Sequence, residues 1–295
     1  MNSPIAVIGP GAIGSTVAAL LHAAGHPVLL CGRTARESVE VRPDDHDPIV
    51  VPGPVHTDPA TVDGPVDVVL LAVKDTQYAQ AAGWLSRLCD ENTVVCALQN
   101  GVEQVERLRP YCPSAAVVPA VIWFSAETQP QGWIWLRTDV RIVLPETDAA
   151  RTLVRLLSVP GLTVQTDPDY LTEAWRKLLL NAVFGLLVLT GRRAGMFHRD
   201  DVAALARDYL VECAAVGRAD GADLRDADVD KITGLLAGIS PDMGTSILAD
   251  RQAGRPLEWD IRNGVIRRKA AAHGLPTPIS DVVVPLLAAA GDGPG

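Results

Sequence analysis

Short apolar runs recur through the first half of the chain, each bounded by glycine or polar residues. IAVIG at 5–9, PVLLCG at 27–32, DVVLLAV at 67–73 and TVVCALQ at 93–99 are short and rich in β-branched residues, so they predict strands. The segments between them have the length of helical crossovers, and that alternation predicts a parallel sheet with helices on its faces. AVVPAVIWF at 116–124, GWIWL at 132–136 and VRIVLP at 140–145 are expected to extend the sheet, with antiparallel strands at its edge. After TVQTDP at 163–168 the period changes: the segments become long and helix-patterned, and no β-rich run returns until PTPISDVVVPLL at 276–287. The pattern divides the chain into two domains, 1–166 and 167–295.

The second domain opens on EAWRKLLLNAVFGLLVL at 173–189, which reads as one long apolar helix. Asp167 is expected as its N-cap, with Pro168 in the first turn, where a missing N–H costs nothing. Lys177 and Asn181 interrupt the apolar pattern four residues apart, so they share one face. They line a polar cleft or they are solvated edge residues, and a helix this apolar favours the cleft.

The strongest local signal lies between the first two strands. In IGPGAIGSTVAALL, Gly9, Gly11 and Gly14 form GxGxxG at a strand-to-helix turn. Gly9 permits the turn, Gly11 lets the backbone approach a pyrophosphate, and Gly14 lets helix and sheet pack closely. Gly9, Pro10, Gly11, Ala12, Ile13 and Gly14 are therefore the expected phosphate-binding positions. The fold class is α/β: a Rossmann-type dinucleotide-binding domain followed by an all-α C-terminal domain. Where NAD-binding folds carry an acid, about 20 residues past the glycines, this chain has Arg33. An arginine there suits a 2′-phosphate, which favours NADP (NADPH), or it is an ordinary surface residue. Two further strand-following loops place Lys74 and Asn100 where such folds collect ligand contacts.

Composition narrows the partners. The 295 residues are 48% hydrophobic, enough for sizeable cores, and carry a net charge of −9, so nucleic acid is not expected. The start, MNSPIAVIGPG, lacks a signal-peptide pattern, and no apolar run reaches the length of a membrane span, so a cytoplasmic chain with no membrane partner is expected. The five cysteines have no CxxC spacing and read as small buried hydrophobes in a reducing compartment, while the six histidines form no HExxH motif, so no metal is expected. The DGPG tail is expected to be disordered.

GPGAIG at the start, VK at 73–74, QNGVE at 99–103, WRKLLLN at 175–181, TSILAD at 245–250 and PLEWDIRNG at 256–264 occur in the order and spacing of the ketopantoate reductases. The chain resembles that family, the 2-dehydropantoate 2-reductases, over nearly its whole length. The resemblance implies that Lys177 is the proton donor to the substrate carbonyl, that Asn181 binds substrate, and that Asn100 sits between cofactor and substrate. It also implies that Ser246 binds substrate, that Lys74 approaches the cofactor, and that Glu258 is a catalytic and cofactor-contacting residue. A homodimer is a further expectation. One departure stands out. Where the family commonly has an asparagine followed by proline, this chain has Gly185-Leu186, which removes a donor and is expected to leave room in the substrate pocket.

The chemistry has its own physical footing. Hydride transfer to a 2-oxo carbon builds negative charge on the carbonyl oxygen, so the site needs a positioned acid there and donors for the neighbouring carboxylate. Lys177 supplies the first, and Asn100, Asn181 and Ser246 supply neutral donors. The expected reaction is NADPH-dependent reduction of 2-dehydropantoate to (R)-pantoate, in pantothenate and coenzyme A biosynthesis, at a cleft between the two domains. The other readings are a reductase of another branched 2-oxo acid and a dinucleotide-binding sensor without turnover.

Overall fold

The computed structural model describes residues 4–292, so all of the DGPG tail except Asp292 lies outside the described residues. The chain forms two compact units: residues up to Gln99 with Gln104–Tyr170, and Asn100–Glu103 with the chain from Leu171 onward.

The first unit begins β1 (Ile5–Ile8), α1 (Ala12–Ala23), β2 (Val28–Cys31), β3 (Ser38–Pro43), β4 (Ile49–Pro52), β5 (Val68–Leu71), α2 (Tyr78–Leu88), β6 (Val94–Ala97), α3 (Gln104–Leu108) and β7 (Ala116–Pro119). It continues with β8 (Val121–Trp123), β9 (Ala126–Thr128), β10 (Ile134–Leu136), β11 (Val140–Pro145), α4 (Asp148–Leu157) and β12 (Leu162–Asp167). The expected parallel sheet has the order β2-β1-β5-β6-β7. Its central strands β1, β5 and β6 are buried on both faces, and the two-residue period sorts them: Ile5 and Val7 pack in the cluster of α1 and α4, Ala6 and Ile8 in that of α2 and α3.

Only AVVP of the 116–145 region joins that sheet. The rest goes into two others, β4-β3-β10-β9 and β12-β11-β8, so the expected extension stops at β7 and GWIWL and VRIVLP do not join it. β7 ends at Pro119, which has no N–H to continue a ladder. The strands β3 and β4, unanticipated because Glu40 and Arg42 break the apolar run, bury Val39, Val41 and Val51 on one face. α1 meets both the parallel sheet and the second sheet, and Gly14–Leu21 are consequently all buried.

The second unit is helical: α5 (Tyr170–Val183), α6 (Gly185–Thr190), α7 (Asp200–Ala219), α8 (Asp226–Gly238), α9 (Ser246–Gln252), a π-helical turn at Asp260–Gly264 running into α10 (Val265–His273), and α11 (Ser280–Gly291). Trp175, Phe197 and Tyr209 are its largest fully buried side chains. Three local expectations are corrected. Asp167 ends β12, and its carboxylate accepts the Asp169 N–H at 2.8 Å, so helix α5 starts only at Tyr170. The 173–189 run is two helices interrupted at Phe184, not one. The β-rich run at 276–287 is largely helix α11. Its Pro285 is exposed, and so is Asp281, whose carbonyl the proline leaves without a helical donor and which water can serve. Glu212 of α7 starts α11 by accepting the N–H groups of Ile279 at 2.7 Å and Ser280 at 2.8 Å.

Cys31, Cys96, Cys112 and Cys213 are buried, Cys89 is half-buried, and all are free thiols. Burial pushes Cys31 and Cys96 up to about 12, which suits apolar packing and not nucleophilic chemistry. Among the described residues no helix is long and apolar enough to cross a membrane.

Candidate active site

In the first unit, the parallel register aligns the carboxyl ends of four strands. Ile8 pairs with both Cys31 and Leu71, and Leu71 pairs with Ala97, so the loops after β1, β2, β5 and β6 all leave the same edge of the sheet. That edge carries the glycine loop, Arg33 and Lys74. The glycine loop fits a pyrophosphate. Gly9 has φ +93°, and a Cβ there would lie 2.8 Å from Val73 Cγ1; one on Gly14 would lie 2.4 Å from the Gly9 carbonyl oxygen. A Cβ on Gly11 would meet nothing within 4 Å, so the backbone there faces open space. Helix α1 starts immediately after it with no side-chain cap, leaving its first N–H groups to an anion.

Arg33 is exposed two residues beyond β2. Arg36, which the sequence reading passed over, is half-buried and donates from Nη2 to the Pro10 carbonyl of the glycine loop. Burial lowers its guanidinium from the ordinary arginine value, and its Nε has no partner among the described residues. Its signal was the second basic residue in CGRTAR. Lys74 is half-buried and its N–H donates to Gln77 at 3.2 Å. Buried Gln99 fixes the same loop from the end of β6, donating to the carbonyls of Leu71 at 2.7 Å and Val73 at 2.9 Å.

In the second unit, α5 presents half-buried Lys177 and, one turn later, buried Asn181. Asn181 Nδ2 donates to Asn100 Oδ1 at 3.1 Å, which joins the QNG loop to the lysine helix. Arg268 of α10 holds that loop from its other end, donating to Glu103 from Nη2 at 2.8 Å and Nε at 3.3 Å, and also pairs with Asp260. Ser246 opens α9, but the cap is Thr245, whose hydroxyl accepts the Leu248 N–H at 3.4 Å. Ser246 is thereby left to a different partner: its Oγ accepts from Arg262 Nη2 at 3.1 Å. The same nitrogen lies 3.5 Å from Glu258 Oε2, and both members of that pair are buried, Arg262 to 3% exposure and Glu258 to 6%. The structure thus forms two contact sets, Asn100 with Asn181 and Ser246 with Arg262 and Glu258. Arg262 was missed, although its signal was present as a Glu–Arg spacing of four in EWDIRNG.

Residues 5–149 match the family described as ketopantoate reductase PanE/ApbA, and residues 169–290 match its C-terminal region. The chain belongs to the ketopantoate reductase family. It is 63% identical over 295 residues to the 2-dehydropantoate 2-reductase of Mycobacterium tuberculosis strain CDC 1551, with 100% of both chains covered. It is 38% identical over 287 residues to that of Caulobacter vibrioides, covering 97% of this chain and 98% of the relative. The solved dimeric ketopantoate reductase from Staphylococcus aureus is similar at a TM-score of 0.87 and 27% identity, over 99% of this chain and 100% of that one. Membership of the ketopantoate reductase family makes the chain a dinucleotide-binding oxidoreductase, and the reading as a sensor without turnover falls.

Set against the ketopantoate reductase pattern, the Gly185 departure has a different meaning from the one expected. A Cβ at 185 would lie 2.9 Å from Asn263 Nδ2 and 3.1 Å from Leu287 Cδ1, so the position faces a packed core and opens no room. Asn263 is fully buried there, donating to the Ala182 carbonyl at 2.9 Å and to Tyr209 Oη at 3.0 Å. The interruption at Phe184 releases the Ala182 carbonyl from its helical partner, and Asn263 satisfies it.

Proposed function

We propose that this chain reduces 2-dehydropantoate to (R)-pantoate with NADPH. The observation that carries the reading is full-length likeness to 2-dehydropantoate 2-reductases across both matched regions, 63% to that of Mycobacterium tuberculosis. The glycine loop would hold the pyrophosphate, and Arg33 and Arg36 would hold the 2′-phosphate side of the cofactor, with Lys74, Asn100 and Glu258 as further contacts. When bound, NADPH supplies the hydride that adds to the carbonyl carbon. The residues of the chain manage the charge this creates. Lys177 holds a proton toward the carbonyl oxygen and gives it up as that oxygen becomes a hydroxyl, so the balance is 2-oxo acid plus NADPH plus a proton to 2-hydroxy acid plus NADP. Asn181, oriented by its bond to Asn100, and Ser246, oriented by Arg262, are donors fixed before substrate arrives, which spares reorganisation during the reaction.

Assembly as a homodimer is part of the same reading; α7 leaves Leu205 and Val211, and α11 leaves Val282 and Leu286, exposed. The reading is tested by incubating the protein with NADPH and 2-dehydropantoate, following NADPH absorbance and identifying the product by chiral chromatography. Formation of (R)-pantoate supports it. No turnover of 2-dehydropantoate, with turnover of 2-oxoisovalerate or another branched 2-oxo acid, would transfer the assignment to that substrate.

A further inference from the structure

Arg262 is an expensive residue to place where it stands. A guanidinium at 3% exposure loses its hydration, and a buried ion pair is often no more stabilising than well-packed apolar side chains of similar volume. Its compensation is also thin. The Glu258 contact is a single one at 3.5 Å, and the Ser246 hydroxyl at 3.1 Å shares the same nitrogen, Nη2. Nε has no partner, and Nη1 makes no hydrogen bond among the described residues. An arginine offers five N–H donors in a planar fork, and here most of the fork is unspent. The fork also rests on two residues, Ser246 and Glu258, that the family pattern assigns to the site. Because the Ser246 oxygen accepts from Arg262, its own O–H remains free to donate.

We propose that Arg262 recognises the carboxylate of the substrate, with Ser246 as co-donor, and so makes this enzyme selective for 2-oxo acids over neutral 2-oxo compounds. The proposal rests on the reductase reading above and assigns a specificity-determining residue within it. A carboxylate presents two acceptor oxygens in a plane, which matches a guanidinium fork better than an amide or an ammonium. Charge points the same way. Glu258 and an anionic substrate put two negative charges against this part of the unit, and without Arg262 the buried carboxylate would repel the substrate rather than admit it.

The test uses two substrates that differ in the group Arg262 would read: 2-dehydropantoate and its lactone, in which the carboxylate is esterified and carries no charge. kcat and KM are measured for both with wild type, Arg262→Gln and Arg262→Lys, alongside NADPH affinity and the unfolding midpoint. Wild type should prefer the acid. Arg262→Gln should lose on the order of 10–100-fold in kcat/KM on the acid, mainly through KM, and less than about threefold on the lactone. Arg262→Lys, which keeps the charge but not the fork, should fall between. A wild type that reduces lactone and acid equally well overturns the proposal without any variant. Equal losses on both substrates would overturn it too, since they would show Arg262 acting only by positioning Ser246 and Glu258. Wild type turning over neither would instead sink the reductase reading, and this assignment with it.

Discussion

Replacing Gly185 with alanine inserts one methyl group where the ketopantoate reductase pattern carries a larger side chain, yet the surroundings here cannot accept it. The added carbon would stand 2.9 Å from Asn263 Nδ2, 3.1 Å from Leu287 Cδ1 and 3.2 Å from Asn263 Oδ1. Asn263 cannot swing away freely, because its Nδ2 is committed to the Ala182 carbonyl and Tyr209 Oη. Displacing it leaves at least one buried group unpaired, at about 1–3 kcal/mol, and overpacking alone costs about 1–3 kcal/mol. The gain in helix propensity on leaving glycine offsets no more than about 1 kcal/mol. Gly185→Ala should therefore lose about 1–5 kcal/mol net, which lowers the midpoint of the second unit's thermal transition by about 2–4 °C per kcal/mol. Scanning calorimetry reads this, and NADPH titration should show no change, since the glycine loop is in the other unit. In an Asn263→Ser background the same substitution should cost at least about 1 kcal/mol less, because the contact it strikes has been shortened. A Gly185→Ala protein as stable as wild type would show that Asn263 yields at no cost.

Arg33→Ala should erase a preference for NADPH over NADH of at least tenfold, a gap of about 1.4 kcal/mol, in fluorescence titrations with both cofactors; equal affinities in the wild type would remove the role given to Arg33. Asn181→Ala should raise KM for 2-dehydropantoate on the order of tenfold with kcat little changed, as expected of a donor that holds the keto acid in ground and transition state alike; a loss confined to kcat would contradict it. Burial opposes ionisation of Asp228, but the Arg225 N–H and the Arg176 guanidinium, each at 2.8 Å, outweigh it and hold the carboxyl below the usual carboxylate range. A depressed folded pKa gives stability that is complete above the unfolded value, about 3.9, and is lost as pH falls through the folded one. Asp228→Asn should cost about 1–2 kcal/mol at neutral pH and flatten the acid limb of a stability-versus-pH curve; an unchanged acid limb would show that Asp228 carries none of it.

The readable parts of this sequence were those where one local period dominates. The parallel strands declared themselves because their neighbours bury both faces, which leaves uninterrupted apolar runs, and the glycine loop because its spacing is set by backbone contacts. The strands β3 and β4 stayed hidden because each buries a single face, so Glu40 and Arg42 could occupy the other. The 276–287 run misled because three successive valines favour a strand locally, while the Glu212 carboxylate that starts helix α11 is far away in sequence. The interruption at Phe184 depends likewise on Asn263, and Gly185 looked like an opened pocket only because its neighbour across the fold was invisible. In the candidate site, the motifs pointed to Lys177, Asn181 and Asn100, and the structure brings Asn181 and Asn100 into contact. Arg262 and Arg36 were not, since a buried charge and a surface charge are the same letter until burial is known.

Lys177 is half-buried on α5, one turn before Asn181, and the proposed mechanism draws its proton from that lysine. The decisive measurement is kcat for NADPH-dependent reduction of 2-dehydropantoate by Lys177→Ala beside the wild type, with NADPH affinity determined on the same preparations. A fall in kcat on the order of 10²–10⁴-fold, with NADPH binding unchanged, is the result predicted. A variant that binds NADPH normally and keeps kcat within about threefold of wild type would show that the proton comes from elsewhere and that Lys177 is not the acid of this enzyme.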